Sequence, residues 1–209
     1  DCYDVFILDQ WGVMHNGKKG YNNAKKCINF LSKKNKKMII ISNSSKRKKD
    51  TILRLPKLGF DPKNFNEVMT SGEMIWQGLN KKNYNFFKKL KKNCFHLYNK
   101  SNKEGKNFIN GLYKYNFVDQ VDNADFILGC TTSNSLNSID YMPLLIKALN
   151  KKMPFVCANP DYETIENNSS QLSICMGTIA RLYENLGGET FYDANLTWIG
   201  SVLSSFGIC

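Results

Sequence analysis

The sequence predicts an α/β protein, a Rossmann-like parallel-sheet core with a second α/β domain inserted into it. Three observations point there. Short apolar runs alternate with segments of helical periodicity over the first 79 residues, the pattern of a parallel sheet with right-handed crossovers. Polar clusters follow the ends of those runs. The chain then passes through a lysine- and asparagine-rich stretch into a further set of short strands and helices. Residues 1–79 and 187–209 are assigned to the core and 80–186 to the inserted domain.

Val5-Phe-Ile-Leu8 is a fully apolar run, read as a strand covered on both faces and ending in Asp9-Gln-Trp-Gly12. Ala24, Cys27, Ile28 and Leu31 recur at helical spacing between Asn22 and about Lys34. Met38–Ile41 is a second buried strand, running into Ser42-Asn-Ser-Ser45. A helix is expected from Lys48 to Leu58, with Gly59 as its left-handed stop and Pro56 bending or ending its last turn early. Glu67–Thr70 is a third strand, and Ser71 is placed as the N-cap of a helix to about Leu79. Lys81–Lys92 reads as a linker or surface segment. Cys94–Tyr98, Phe126–Leu128 and Pro154–Ala158 have strand character, Phe117–Val121 is a further segment of unassigned type, and Tyr141–Leu149 and Met176–Leu186 have helix character. Leu196–Leu203 is strand-like. Ligands of parallel sheets sit at the carboxyl ends of the strands, where Asp9, Ser42-Asn43 and Thr70-Ser71-Gly72 all fall.

Composition narrows the classes. The seven cysteines are odd in number and form no Cys-x-x-Cys pair, against a disulfide framework or a thiolate zinc site; free, mostly buried thiols are expected. No apolar run approaches the ~20 residues of a membrane span. No secretory signal pattern is present, and a cytoplasmic location is expected. The formal charge of +11 comes mostly from lysine clusters. They lack regularly interleaved aromatics, so nucleic acid is not expected as a partner. A positive field would still draw in phosphorylated small molecules.

Taken in order, Asp9-Gln-Trp-Gly-Val13, Asn16-Gly17, Ile41-Ser-Asn-Ser44, Leu58-Gly-Phe60, Thr70-Ser-Gly-Glu73, Ala158-Asn-Pro-Asp161, Gly177-Thr-Ile-Ala180 and Gly187-Gly188 resemble the class IIA branch of the haloacid dehalogenase superfamily, the para-nitrophenylphosphatase-like and sugar-phosphatase-like proteins. The similarity spans roughly residues 4–192 and matches a subgroup with Asp-x-Trp-Gly-Val in the first motif. It implies that the inserted domain is a C2-type cap and that the chain is a magnesium-dependent phosphatase of small phosphorylated metabolites. Asp9 would attack phosphorus and form an aspartyl-phosphate, a displacement that divides one hard hydrolysis into two. Asp9 and the backbone carbonyl of Trp11 would hold the Mg2+ ion. Ser42, followed by Asn43, would bind the phosphoryl group. Asn159 and Asp161 would face the substrate from the cap, a structural turn being the alternative for them. His15 and His96 are assigned packing or surface roles. A second copy of the chain is a candidate partner.

Two departures qualify the resemblance. The family has a second aspartate two positions after the nucleophile, which transfers protons. Trp11 stands there and cannot do so near neutral pH, and loss of a general acid costs about 10²–10⁴-fold in rate. After Tyr192 the family's Gly-Lys-Pro and Gly-Asp motifs have no counterpart. A three-stranded core beneath a full cap is a poor stable object, so the resemblance implies that residues are missing between about Tyr192 and Leu196. The alternative is a catalytically impaired fold that binds a ligand or partner. Asp193 is not expected to substitute as a metal ligand.

Overall fold

A computed structural model describes residues 2–82, 85–101, 103–133, 137–165 and 172–192. Its first sheet is parallel, in the order β1 (Val5–Leu8), β2 (Lys37–Ser42), β3 (Glu67–Thr70). Leu8 pairs with Ile40 and Ser42 with Thr70, so the three strands end at one rim. Helix α1 (Asn22–Lys33) and helix α2 (Lys48–Leu58) connect the strands. Ile28, Leu31, Leu55 and Leu58 pack on Met38, Ile40 and Val68. Burial of such side chains contributes about 1.5–3 kcal/mol each.

The expectation that β1 is covered on both faces is not met. It is the edge of this sheet among the described residues, and Ile7 is 45% exposed, although Phe6 and Leu8 pack against the core. Pro56 does not shorten α2. It sits so near the C-terminus that its missing N–H removes one bond only, and the helix runs on to Leu58 before Gly59 turns left-handed at φ 85°. Thr70, not Ser71, caps α3 (Ser71–Lys81): its hydroxyl accepts the Glu73 N–H at 3.0 Å.

The stretch Lys81–Lys92 is more than a linker. It contains helix α4 (Asn85–Lys89), which buries Phe87 completely and stacks Phe86 on Phe191 at 4.5 Å. A second, five-stranded parallel sheet follows, made of β4 (Asn93–Leu97), β5 (Asn116–Val118), β6 (Phe126–Gly129), β7 (Phe155–Cys157) and β10 (Thr190–Tyr192). The spatial order is β10-β7-β6-β4-β5. Helices α5 (Lys103–Asn107), α6 (Met142–Asn150) and α7 (Met176–Asn185) belong to this part of the chain. Leu145, Ala148, Ile179 and Tyr183 close one side against Ile127 and Phe155. An antiparallel hairpin, β8 (Glu163–Ile165) with β9 (Leu172–Ile174), leads into α7. Thr190–Tyr192 pairs with Phe155–Cys157. Residues 187–209 are expected in the core with the first sheet, whereas this strand lies in the second sheet. The strand expected at Leu196–Leu203, and Asp193, lie outside the described residues.

Cys94, Cys130, Cys157 and Cys175 are buried thiols, and Cys2 and Cys27 exposed ones, all outside any disulfide. No helix among the described residues is long and apolar enough to cross a membrane.

Candidate active site

The rim of the first sheet opens on a cleft of about 1110 Å³, whose opposite wall comes from the second sheet and its hairpin. Asp9, Ser42 and Asn43 line it from one side, and Asn159 and Asp161 from the other. Asp9 leaves the end of β1 into a compact loop. The N–H groups of Met14 and His15 both donate to the Gln10 carbonyl, at 2.9 and 3.2 Å, and Gly12 N–H donates to His15 at 2.9 Å. Gly12 sits at φ 78°, where a side chain would be strained. Gly17 is also left-handed, and a methyl group there would stand 2.5 Å from the Trp11 ring. The edge of the indole thus packs against the turn, and the residue is 39% exposed. Asn16 and Gly17 form the expected tight turn, with the Asn16 side-chain oxygen accepting the N–H groups of Lys18 and Lys19.

Burial raises the Asp9 carboxyl above its ordinary 3.8. The Gln10 N–H opposes this, and the negative charge of Asp161 adds to it. A cation would relieve that repulsion. Among the described residues the Trp11 carbonyl accepts no hydrogen bond, so a carboxylate and a free carbonyl oxygen lie two residues apart. Hard oxygen donors of this kind suit magnesium, which keeps several waters and needs few protein ligands. The described residues contain no cluster of three or more acidic, histidine or cysteine ligands.

Ser42 is buried at the end of β2, and its oxygen accepts the Ser44 N–H at 3.3 Å. The loop after it is held down from below. Ser44 accepts Gly72 N–H at 3.0 Å, and the Thr70 hydroxyl donates to the Lys46 carbonyl. Gly72 is required here, because a methyl group would stand 2.1 Å from the Ser45 carbonyl oxygen. Arg47 reaches back to Glu73 at 2.7 Å while lying 3.6 Å over the Trp76 ring. Across the cleft, Asp161 accepts Asn43 Nδ2 at 2.8 Å. Its backbone is packed so tightly on the start of α7 that a methyl group at Gly177 would lie 2.2 Å from the Pro160 carbonyl oxygen.

Sequence reasoning missed several residues of the cleft wall. Lys46 and Arg54 line it, Arg54 donating to the Gly17 carbonyl, and Thr131, Glu163 and Thr164 line the far side. A cation within a lysine-rich chain carries no signal that it faces inward. His15, assigned a packing role, is indeed 4% exposed, but it also borders the cleft. Its Nδ1 accepts the Gly17 N–H at 3.0 Å, which places the proton of the neutral ring on Nε2.

Burial, then the charge of Arg54, lowers the His15 pKa to about 4; burial lowers that of His96 to about 4. Both rings are neutral in the fold, and the unfolded chain binds their protons more readily. Stability should therefore be full above the ordinary 6.5 and fall as pH drops toward 4. Thermal midpoints measured from pH 7 to 4 should decline, and His96→Phe should flatten the decline. An unchanged slope in that variant would contradict this account.

Residues 6–104 match the haloacid dehalogenase-like hydrolase family, just under half of the chain. The fold is found again in solved structures. A haloacid dehalogenase-like hydrolase from Brucella suis aligns over 98% of this chain and 73% of its own, with 24% identity and a TM-score of 0.81. A 4-nitrophenylphosphatase from Thermotoga maritima aligns over 99% and 75%, with 19% identity and a TM-score of 0.67. A glycerol phosphate phosphatase from Mycobacterium tuberculosis, solved with magnesium, aligns over 91% and 54%, with 15% identity and a TM-score of 0.63. No match was found among curated proteins. The fold is thus shared with these solved structures, and the family model matches the first sheet and the start of the second.

Proposed function

We propose that the cleft hydrolyses small phosphate monoesters, with Asp9 as the nucleophile. The observation that carries this reading is the meeting of Asp9 and Ser42 at the aligned ends of neighbouring parallel strands, facing one cleft closed by a second domain. Asp9 oxygen attacks phosphorus, and the bond to the ester oxygen breaks as the alcohol leaves as an alkoxide that takes its proton from solvent water, Trp11 having none to give. Water then displaces the carboxylate and releases inorganic phosphate. The Ser42 hydroxyl and the backbone N–H groups that follow it hold phosphoryl oxygens, and Asn43 orients this loop. Lys46 and Arg54 add positive charge on the same wall. Asp9 and the Trp11 carbonyl would hold Mg2+, which neutralises charge between carboxylate and phosphate when bound. Asn159 and Asp161 contact the alcohol part of the substrate from the cap. We assign residues 80–186 to that cap, with 187–192 continuing in its sheet, and place a finer kinship in the class IIA branch. The printed activities of the Thermotoga and Mycobacterium structures, a 4-nitrophenylphosphatase and a glycerol phosphate phosphatase, accord with this reading.

A second reading is favoured by Trp11. With an indole where a proton donor is expected, the fold would bind phosphate esters without efficient turnover. Hydrolysis of para-nitrophenyl phosphate, measured with magnesium and again after chelation, separates the two. Magnesium-dependent release of phosphate is expected. Absence of turnover, with binding retained, would replace the first reading by the second.

A further inference from the structure

The two walls of the cleft differ in charge. The first-domain wall holds Lys46 and Arg54 beside Asp9 and the neutral His15. The opposite wall holds Thr131, Asn159, Asp161, Glu163, Thr164 and Cys175: two carboxylates, two hydroxyls, an amide and no cation among the described residues. This runs against the chain as a whole, whose formal charge is +11. Asp161 is tied to Asn43 at 2.8 Å, and its backbone is fixed against Gly177. Glu163 begins the hairpin beside it, is exposed, and forms no ion pair among the described residues.

We infer that the site selects phosphate monoesters whose alcohol part is neutral or cationic and rich in hydroxyl or amine groups, and rejects those bearing a second anion. This rests on the phosphatase reading for the direction in which the substrate lies. With phosphorus at Asp9 and Ser42, the alcohol part reaches toward Asp161 and Glu163. Hydroxyl and ammonium groups are donors that these carboxylates and the Asn159 oxygen accept. A carboxylate or second phosphate there meets like charge with no cation to pair it, and rejection of this kind is a common source of specificity. Asp161, already holding one amide donor, serves as the fixed acceptor. Glu163 serves as the adaptable one.

The test compares kcat/KM for phosphoethanolamine, glycerol phosphate and phosphoglycolate, with dissociation constants for the same esters from calorimetry. The cationic and neutral esters should exceed phosphoglycolate by about tenfold or more, the scale of one ionic contact near a protein surface. Glu163→Gln should shrink that ratio. Equal or better use of phosphoglycolate by the unaltered chain, or an unchanged ratio in Glu163→Gln, would overturn the inference. If no ester and no para-nitrophenyl phosphate is turned over, the phosphatase reading fails by itself. The ranking of dissociation constants then decides this one: tighter binding of the cationic and neutral esters upholds it, and equal binding overturns it.

Discussion

Asp9→Asn is expected to lower para-nitrophenyl phosphate turnover by roughly 10⁴-fold or more, the scale on which removal of a covalent nucleophile is felt. The amide cannot attack phosphorus, and it carries no charge for a cation. The same substitution should raise the thermal midpoint. Asp9 stands in a place that disfavours its charged form, through burial and the nearby Asp161. Because its folded pKa lies above its ordinary value, the fold loses stability as pH rises from the ordinary value through the folded one, and the neutral isostere removes the loss. Functional carboxylates commonly trade stability for activity in this way. Magnesium should then stabilise the unaltered chain, since a ligand of the native state alone raises its stability, and should leave Asp9→Asn unmoved. Turnover equal to that of the unaltered chain would remove Asp9 from the chemistry. A lower midpoint in the variant would remove the electrostatic account of it.

Glu73→Ala is expected to destabilise the fold by about 3 kcal/mol, within the range for breaking a buried pair by removing one partner. Glu73 is 7% exposed and receives Arg47 at 2.7 Å, the Lys48 N–H at 3.0 Å and Gln77 at 3.2 Å. Without it, Arg47 is left against the Trp76 ring with no carboxylate, and the start of α2 loses an anchor. Burial alone would push the Glu73 carboxyl up. The Arg47 hydrogen bond and charge, with Gln77 and the Lys48 N–H, outweigh it and hold the group below its ordinary 4.5. The ionised group therefore contributes stability above the ordinary value, and that contribution is lost as pH falls through the lower folded value. This window lies below that of the histidines, so acid unfolding should show both. Because the Arg47–Glu73 link joins the loop after Ser42 to α3, the variant should also weaken phosphate binding. Denaturant unfolding and phosphate titration check the two effects.

Much of this molecule was legible because its sequence signals are local. β2 and β3 are apolar runs with β-branched members, and α2 ends at a glycine that the chain needs in a left-handed state. Asp9 and Ser42 could be placed together because parallel strands share one direction, so their ends share one rim. What could not be read depends on distant partners. Phe86 and Phe87, in a lysine-rich stretch, offer too short a period to signal a helix; Phe191, far along the chain, stacks on Phe86, and Gly78 leaves room for the Phe87 ring. β10 is three residues long and is a strand because β7 is there to pair with it. The exposure of β1 depends on what lies beyond its outer edge, which no residue within the strand reports. Lys46, Arg54 and Glu163 are common surface residues by type, and only the closure of the cleft gives them an inward role.

The bond between Asn43 and Asp161 joins residues 118 positions apart. Each sheet gathers its strands over shorter spans, whereas this contact requires both sheets to exist first. Closing so long a loop adds little to its entropic cost beyond that of a loop half as long, but contacts of such separation come late on a folding path. The cleft is accordingly among the last parts of the molecule to take shape. A chain with its secondary structure complete and its two sheets not yet engaged would hold every residue named above and still have no site.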